Sequence, residues 1–270
     1  MTPRDITVAA VQSSLSWENR EANLHMFGEK FRAIDFPIDL LVLPEMFTTG
    51  FTMNAARFAE PADGPTLEWM RLQASTYKTV VTGSIIVFEN GNYFNRLFWV
   101  RPDGTFSHYD KRHLFRMAGE EKTYHAGNQK LVVDLHGWKV CPMICYDLRF
   151  PVWTRNRWKQ EGNEWVADYD LALFVANWPE RRSKAWKTLL MARAIENLSY
   201  VIGLNRVGND VNNILHSGDS MIIDFKGEPM KSAIIGREEM IYEKLSHQQL
   251  TEFRKSFPAG MDADNFNLAI

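Results

Sequence analysis

Residues 138–151 read WKVCPMICYDLRFP. Val140, Met143 and Ile144 form a short apolar run of the kind that makes a buried strand. The run stops at Cys145, where Tyr-Asp-Leu-Arg-Phe-Pro breaks the pattern ahead of a Trp- and Arg-rich stretch that reads as helical. A nucleophile at a sharp strand-to-helix turn has its side chain pushed out of the sheet. The N–H of the next residue is then free to hold an oxyanion. Serine hydrolases use such an elbow, and here it is offered to a thiol. A purely structural thiol also fits this setting, since free cysteines are among the most buried residues. This stretch alone does not choose between the two. Pro142 requires a place where the strand needs no ladder donor.

The rest of the composition narrows the field. A chain of 270 residues, 45% hydrophobic and 24% charged, describes a globule with an ample core. With 31 basic against 33 acidic residues, the net charge of -2 argues against a nucleic-acid surface. No apolar run reaches the ~20 residues of a membrane span. The start, MTPRDITVAA, lacks the basic and apolar regions of a secretory signal. Two cysteines make no disulfide framework, and on one strand Cys141 and Cys145 lie ~13 Å apart, too far to bridge. A reduced, cytoplasmic protein is the expectation.

Strands are expected at Ile6–Gln12, 38–43, 79–88, 93–101, 105–109, 131–134, Trp138–Ile144, 170–177 and Tyr200–Asn205. The runs 221–225, 230–235 and 240–244 add a β meander. Helices are expected at 17–34, 66–77, 182–197 and 248–255, the last started by Ser246 and Gln249 as a capping box. Residues 112–130 show no periodicity, and 207–216 are Asn/Gly-rich loop. The long 112–130 loop, carrying Phe115, Arg116, Glu120, Glu121 and His125, suits a site wall. Neither repeats nor a Pro/Gly/Ser linker interrupt the chain. One domain over 1–270 is expected, with a patternless tail from about 257 packed on the surface or on a neighbour.

Several chemistries lack their parts. The chain has no G-x-G-x-x-G after a strand, no Walker loop, no G-x-S-x-G and no H-E-x-x-H. The lone C-x-x-x-C is wrongly spaced for zinc. Seven histidines keep a Cys–His hydrolase open, with His113 nearest the elbow. A different set recurs at strand ends, where sheet proteins gather their sites: Glu45 after the 38–43 run, Lys111 after 105–109, and Cys145. Carboxylate, ammonium and thiol suffice for acyl transfer. The carboxylate takes the thiol proton, the thiolate attacks, and the ammonium steadies the oxyanion.

Around these residues, VLPEMFTTGF, YDKRHLF and ICYDLRFP resemble, in order, the three signatures of the nitrilase (carbon–nitrogen hydrolase) superfamily, and the resemblance runs over about 6–245. It implies an α/β fold, a four-layer α-β-β-α sandwich of two mixed sheets packed face to face. It also implies a Glu45–Lys111–Cys145 triad, and no metal or organic cofactor. Tyr146 would give the second oxyanion N–H, and Glu120, preferred over Glu121, an additional glutamate. The segments VANWPERRSKAWKTLLMARAIENLSYVIGLNRVG and HSGDSMIIDFKGEP are most similar to the ω-amidase branch, which hydrolyses terminal amides of 2-oxo acids such as 2-oxoglutaramate. Another amide, an N-carbamoyl amino acid, a deaminated peptide or a nitrile stays open as substrate, as does a binding protein without turnover.

Two further expectations concern contacts. Trp178 is a candidate cavity wall. Arg116 and Arg181 are the candidates for the substrate's carboxylate, with Arg149 behind them as a possible brace of the elbow. The stretch FPVWTRNRW places tryptophans and arginines, residue types enriched at interfaces, on what should be an exposed helix and its approach. The family resemblance points the same way, to a homodimer about a two-fold axis.

Overall fold

Alternation along the first strand, Ile6–Gln12, sets the layers of this computed structural model, which describes residues 3–264 and 266–268. Ile6, Val8 and Ala10 join the cluster shared by the two sheets, while Ala9 and Val11 join the one under the outer helices. The first sheet runs, in spatial order, Glu239–Leu245, Ile6–Gln12, Leu40–Val42, Val80–Glu89, Asn92–Val100 and Phe106–Asp110. The second runs Pro229–Ser232, Met221–Ile223, Tyr200–Asn205, Leu171–Ala176, Trp138–Ile144 and Val133–Leu135. Both mix parallel and antiparallel pairs, and the architecture is the four-layer α-β-β-α sandwich.

Helices Arg20–Arg32 and Pro65–Tyr77 cover the first sheet with Phe27, Phe31, Leu67, Met70 and Ala74. The first starts at Asn19, whose side chain accepts from the Ala22 N–H, and the second has proline at its first position, where no donor is missed. Helix Ser183–Asn197 covers the second sheet through Trp186, Leu190 and Ala194, spaced four apart along one stripe. It lies so close that a Cβ on Gly203 would come within 2.3 Å of Leu190. The last helix, His247–Ser256, is capped by the Ser246 hydroxyl. Pro142 stands beyond the point, Val140, at which the Val133–Leu135 strand stops pairing, so one edge needs no donor there.

Three expectations are corrected. After the elbow comes only a single helical turn, Pro151–Thr154, and then a hairpin of Trp158–Glu161 with Glu164–Ala167. Trp153 and Trp158 do not face outward. Trp153 is buried and donates to the Tyr109 hydroxyl, and Trp158 packs with Ala167, Leu198, Phe253 and Ala259. The hairpin turn was marked by Gly162-Asn163, with Gly162 at φ +63°. Second, 207–216 is no plain loop, because Val207–Asn209 pairs with Leu215–Ser217. Third, Glu239–Leu245 leaves the meander and pairs with Ile6–Gln12 in the other sheet. Alternation identifies a strand without naming its partner. The tail as far as Met261 returns to the Trp158 hairpin, so that a Cβ on Gly260 would strike the Trp158 ring.

Candidate active site

The elbow forms as the sequence suggests. Strand Trp138–Ile144 lies parallel to Leu171–Ala176 and passes at Cys145 into a 3-10 turn, Cys145–Arg149. Cys145 sits at φ +43°, left-handed backbone that costs a non-glycine residue roughly 1–3 kcal/mol and persists only where its surroundings enforce it. Two buried groups do so. The Asp147 carboxylate accepts from the Ile144 N–H at 3.0 Å, and Arg193 donates to the Leu148 carbonyl at 2.6 Å. Cys145 and Cys141 are both free thiols.

Glu45 follows strand Leu40–Val42 and is fully buried. Its Oε1 accepts from Lys111 Nζ and from Asn95 Nδ2, each at 2.8 Å, and its Oε2 accepts from the Asn177 N–H at 2.8 Å. The Asn177 side chain donates to the Glu45 carbonyl at 2.7 Å, so one residue fixes both ends of the glutamate. Lys111 follows strand Phe106–Asp110. Its ammonium also meets both oxygens of Glu120 at 2.9 Å and lies 5.1 Å from the Phe51 ring centre. Glu120 accepts in addition from the Phe115 N–H at 2.6 Å. Of the adjacent pair, Glu120 is the one that reaches Lys111.

Burial and the charges within the cluster together govern the site's protonation. Burial pushes the Cys145 thiol well above its usual range, the negative Glu45 adds to this, and Lys111 opposes it. The resting thiol is therefore protonated. Burial works against the Lys111 ammonium, but Glu120 and Glu45 together outweigh it and hold it charged. Glu120 is pushed up by burial, against the pull of Lys111.

A small cavity opens over these groups, lined by Glu45, Lys111 and Cys145 with Phe51, Phe115, Tyr146, Asn177, Trp178 and Pro179. Trp178 forms part of the cavity wall. The arginines are a correction: Arg149 and Arg182 line this cavity, not Arg116 and Arg181. Arg116 begins an exposed 3-10 turn whose next residues, Met117 and Ala118, line a wider outer recess, and Arg181 lines that recess too. The guanidinium of Arg149 lies over Trp178 and that of Arg182 over Phe115. Sequence reasoning also missed Asn95 and Asn177. Their only signal was an asparagine closing an apolar strand, Asn177, or lying inside a strand beside Arg96, Asn95, where a buried amide demands partners. Among the described residues no group of three His, Cys, Asp or Glu side chains is placed to hold a metal ion, and no helix is long and apolar enough to cross a membrane.

The carbon–nitrogen hydrolase family profile matches residues 7–255. The chain belongs to that family. The hydrolase is 45% identical to the omega-amidase YafV of Yersinia enterocolitica, over 97% of this chain and 98% of the relative. It is 31% identical to the 2-oxoglutaramate amidase of Bacillus subtilis, over 93% of this chain and 95% of the relative. Among solved structures, XC1258 of Xanthomonas campestris, a CN-hydrolase superfamily protein with an arsenic adduct in its active site, superposes with a TM-score of 0.94. It is 44% identical and covers 98% of this chain and 99% of its own. The hydrolase is thus an enzyme for linear amides in the nitrilase superfamily, with omega-amidases among its similar relatives.

Proposed function

We propose that the chain hydrolyses the terminal amide of a small 2-oxo dicarboxylic acid monoamide, 2-oxoglutaramate or 2-oxosuccinamate, to the acid and ammonia through a thioester on Cys145. One observation carries the reading. A small cavity is lined by a thiol, a lysine and one glutamate, together with two arginines, Arg149 and Arg182, that lie over aromatic rings. Neither guanidinium forms an ion pair among the described residues, and burial with the neighbouring Arg181 and Arg149 lowers the Arg182 pKa from its ordinary value. Two unpaired cations in an apolar cavity favour an anionic substrate, and a planar guanidinium suits a carboxylate. The names of the relatives support the same acid amides.

In this reading Glu45 takes the proton of Cys145 as sulfur attacks the amide carbon. Because the resting thiol is protonated, the base and the attack act together. Lys111 and the Tyr146 N–H hold the oxyanion. Glu45 returns the proton to the departing ammonia, leaving a thioester, and then takes a proton from the water that hydrolyses it. Glu120 keeps Lys111 charged and in place. The whole chain works as one hydrolase unit, without a metal or organic cofactor. A thiol nucleophile that must stay reduced suits the cytoplasm. The assembly proposed is a homodimer. Its support is the exposed apolar Val152 and Ile195, on elements joined where Arg155 donates to the Glu196 carbonyl.

The test is ammonia release from 2-oxoglutaramate, 2-oxosuccinamate, N-carbamoyl amino acids and simple nitriles, assayed side by side. The 2-oxo amides should be the best substrates by kcat/KM. Preference for a nitrile or an N-carbamoyl acid would overturn the assignment.

A further inference from the structure

Lys111 and Cys145 lie on different sheets, 34 residues apart, yet the reaction needs them at one fixed spacing. A single buried carboxylate joins the two segments. Asp147 Oδ2 accepts from the N–H of Ile144, the residue before the nucleophile, at 3.0 Å, and from the Tyr109 hydroxyl at 2.8 Å. Its Oδ1 accepts from the His113 N–H at 3.0 Å and lies 2.8 Å from His113 Nδ1. A carboxylate only accepts, so His113 carries its proton on Nδ1. Tyr109 and His113 stand two residues either side of Lys111. The Tyr109 hydroxyl has no spare capacity, since it also accepts from the Arg112 N–H at 3.2 Å and from Trp153 Nε1 at 3.1 Å. The His113 ring is stacked at 3.7 Å on Phe150, just beyond the elbow. Asp147 itself is fully buried.

We propose that Asp147, with His113, is a positioning residue for the reaction: it sets the spacing between the Lys111 ammonium and the Cys145 thiol by binding both chain segments to one carboxylate. None of its oxygens touches the cavity, so it acts through Lys111 and Cys145. The bond pattern also explains why an acid is needed. Asparagine has one oxygen and one NH₂. Whichever way it turns, the NH₂ meets a main-chain N–H, that of Ile144 or that of His113, and two donors are set against each other.

The experiment is a double-mutant cycle between Asp147→Asn and Lys111→Met, read two ways. One readout is the rate of amide turnover. The other is the alkylation of Cys145 by iodoacetamide across pH, followed by intact mass. A misplacement on the order of 1 Å costs catalysis about 100-fold. Asp147→Asn should accordingly lower kcat by roughly 10- to 100-fold while KM stays within about twofold. It should also move the alkylation profile to higher pH, because the ammonium that favours the thiolate has shifted. In the Lys111→Met background the same substitution should cost less than about threefold in either readout. Equal losses in both backgrounds would make Asp147 a residue of the fold in general and overturn the proposal. His113→Ala, at a partly exposed site, keeps the main-chain bond and loses the ring's bond to Asp147 and its stacking on Phe150. It should give the same coupling at smaller size, so the test survives a misfolded Asp147→Asn. The proposal rests on the thiol chemistry above. Coupling in alkylation without turnover of any amide would keep the positioning role and overturn the amidase reading instead.

Discussion

Replacing Lys111 by Met removes one charge from a buried cluster and nearly preserves volume. The ammonium makes three contacts with carboxylate oxygens, at 2.8, 2.9 and 2.9 Å. At an effective dielectric of about 20, each of the two charge pairs is worth roughly 6 kcal/mol of attraction. Desolvation of all three groups offsets most of that in the intact cluster. In the variant the offset disappears, and two carboxylates are left facing each other without a cation. Breaking a buried pair in this way costs about 3–5 kcal/mol. At about 2–3 °C per kcal/mol for a chain of this size, Tm should fall by roughly 6–15 °C at pH 7. The loss should depend on pH. Glu120 is already raised by burial, and Lys111 is the main influence lowering it. Without Lys111 its folded-state pKa rises further. A group raised on folding stabilises below its unfolded value and loses that contribution as pH rises through the folded value. The gap in Tm between wild type and variant should therefore narrow as pH falls from 8 towards 5. Calorimetry across that range is the assay. A gap below about 3 °C, or one independent of pH, would refute the charged cluster.

Other consequences follow from the same geometry. Arg182→Met should raise KM for a 2-oxo acid amide roughly 10- to 100-fold, the worth of one hydrogen bond to a charge, and leave a neutral short amide unaffected. Steady-state kinetics on the two substrates decides it. Gly203→Ala should cost about 1–3 kcal/mol, since its Cβ has Leu190 at 2.3 Å, and a denaturant midpoint equal to wild type would show that the helix can yield. Sedimentation at micromolar concentration should give a dimer mass, and Val152→Glu should shift it to monomer; a monomeric wild type would dismiss the assembly.

Much of this molecule could be read from the chain because its site residues stand where apolar runs stop. Glu45 and Cys145 each end such a run, and an apolar run cut off by a polar or reactive residue is visible without coordinates. What could not be read depends on distant segments. Arg149 was only a lesser candidate and Arg182 none, because a charged side chain leaves no periodic trace of what it faces. Asp147 lay inside the quoted elbow, yet its distant partners are at 109 and 113, and only folding brings them to it. The hairpin after Trp158 was hidden by its polar composition, which suits an exposed helix and an exposed ribbon alike. Trp153 and Trp158 show the same ambiguity: aromatic residues serve interfaces and cores equally, and here they serve the core.

The account turns on Glu45 acting as the base for two successive steps at one thiol. In Glu45→Gln the carboxylate is gone. Burial still raises the Cys145 thiol, but the negative charge that raised it further has been removed, so the sulfur keeps some power to attack. Water has no such reserve and needs its general base. Intact-mass spectrometry of Glu45→Gln after exposure to an acid substrate with a good leaving group is therefore the most direct test. The account predicts one acyl group per chain, stalled on the enzyme and absent when Cys145 is also replaced by Ala. Turnover at the wild-type rate with no adduct would contradict it.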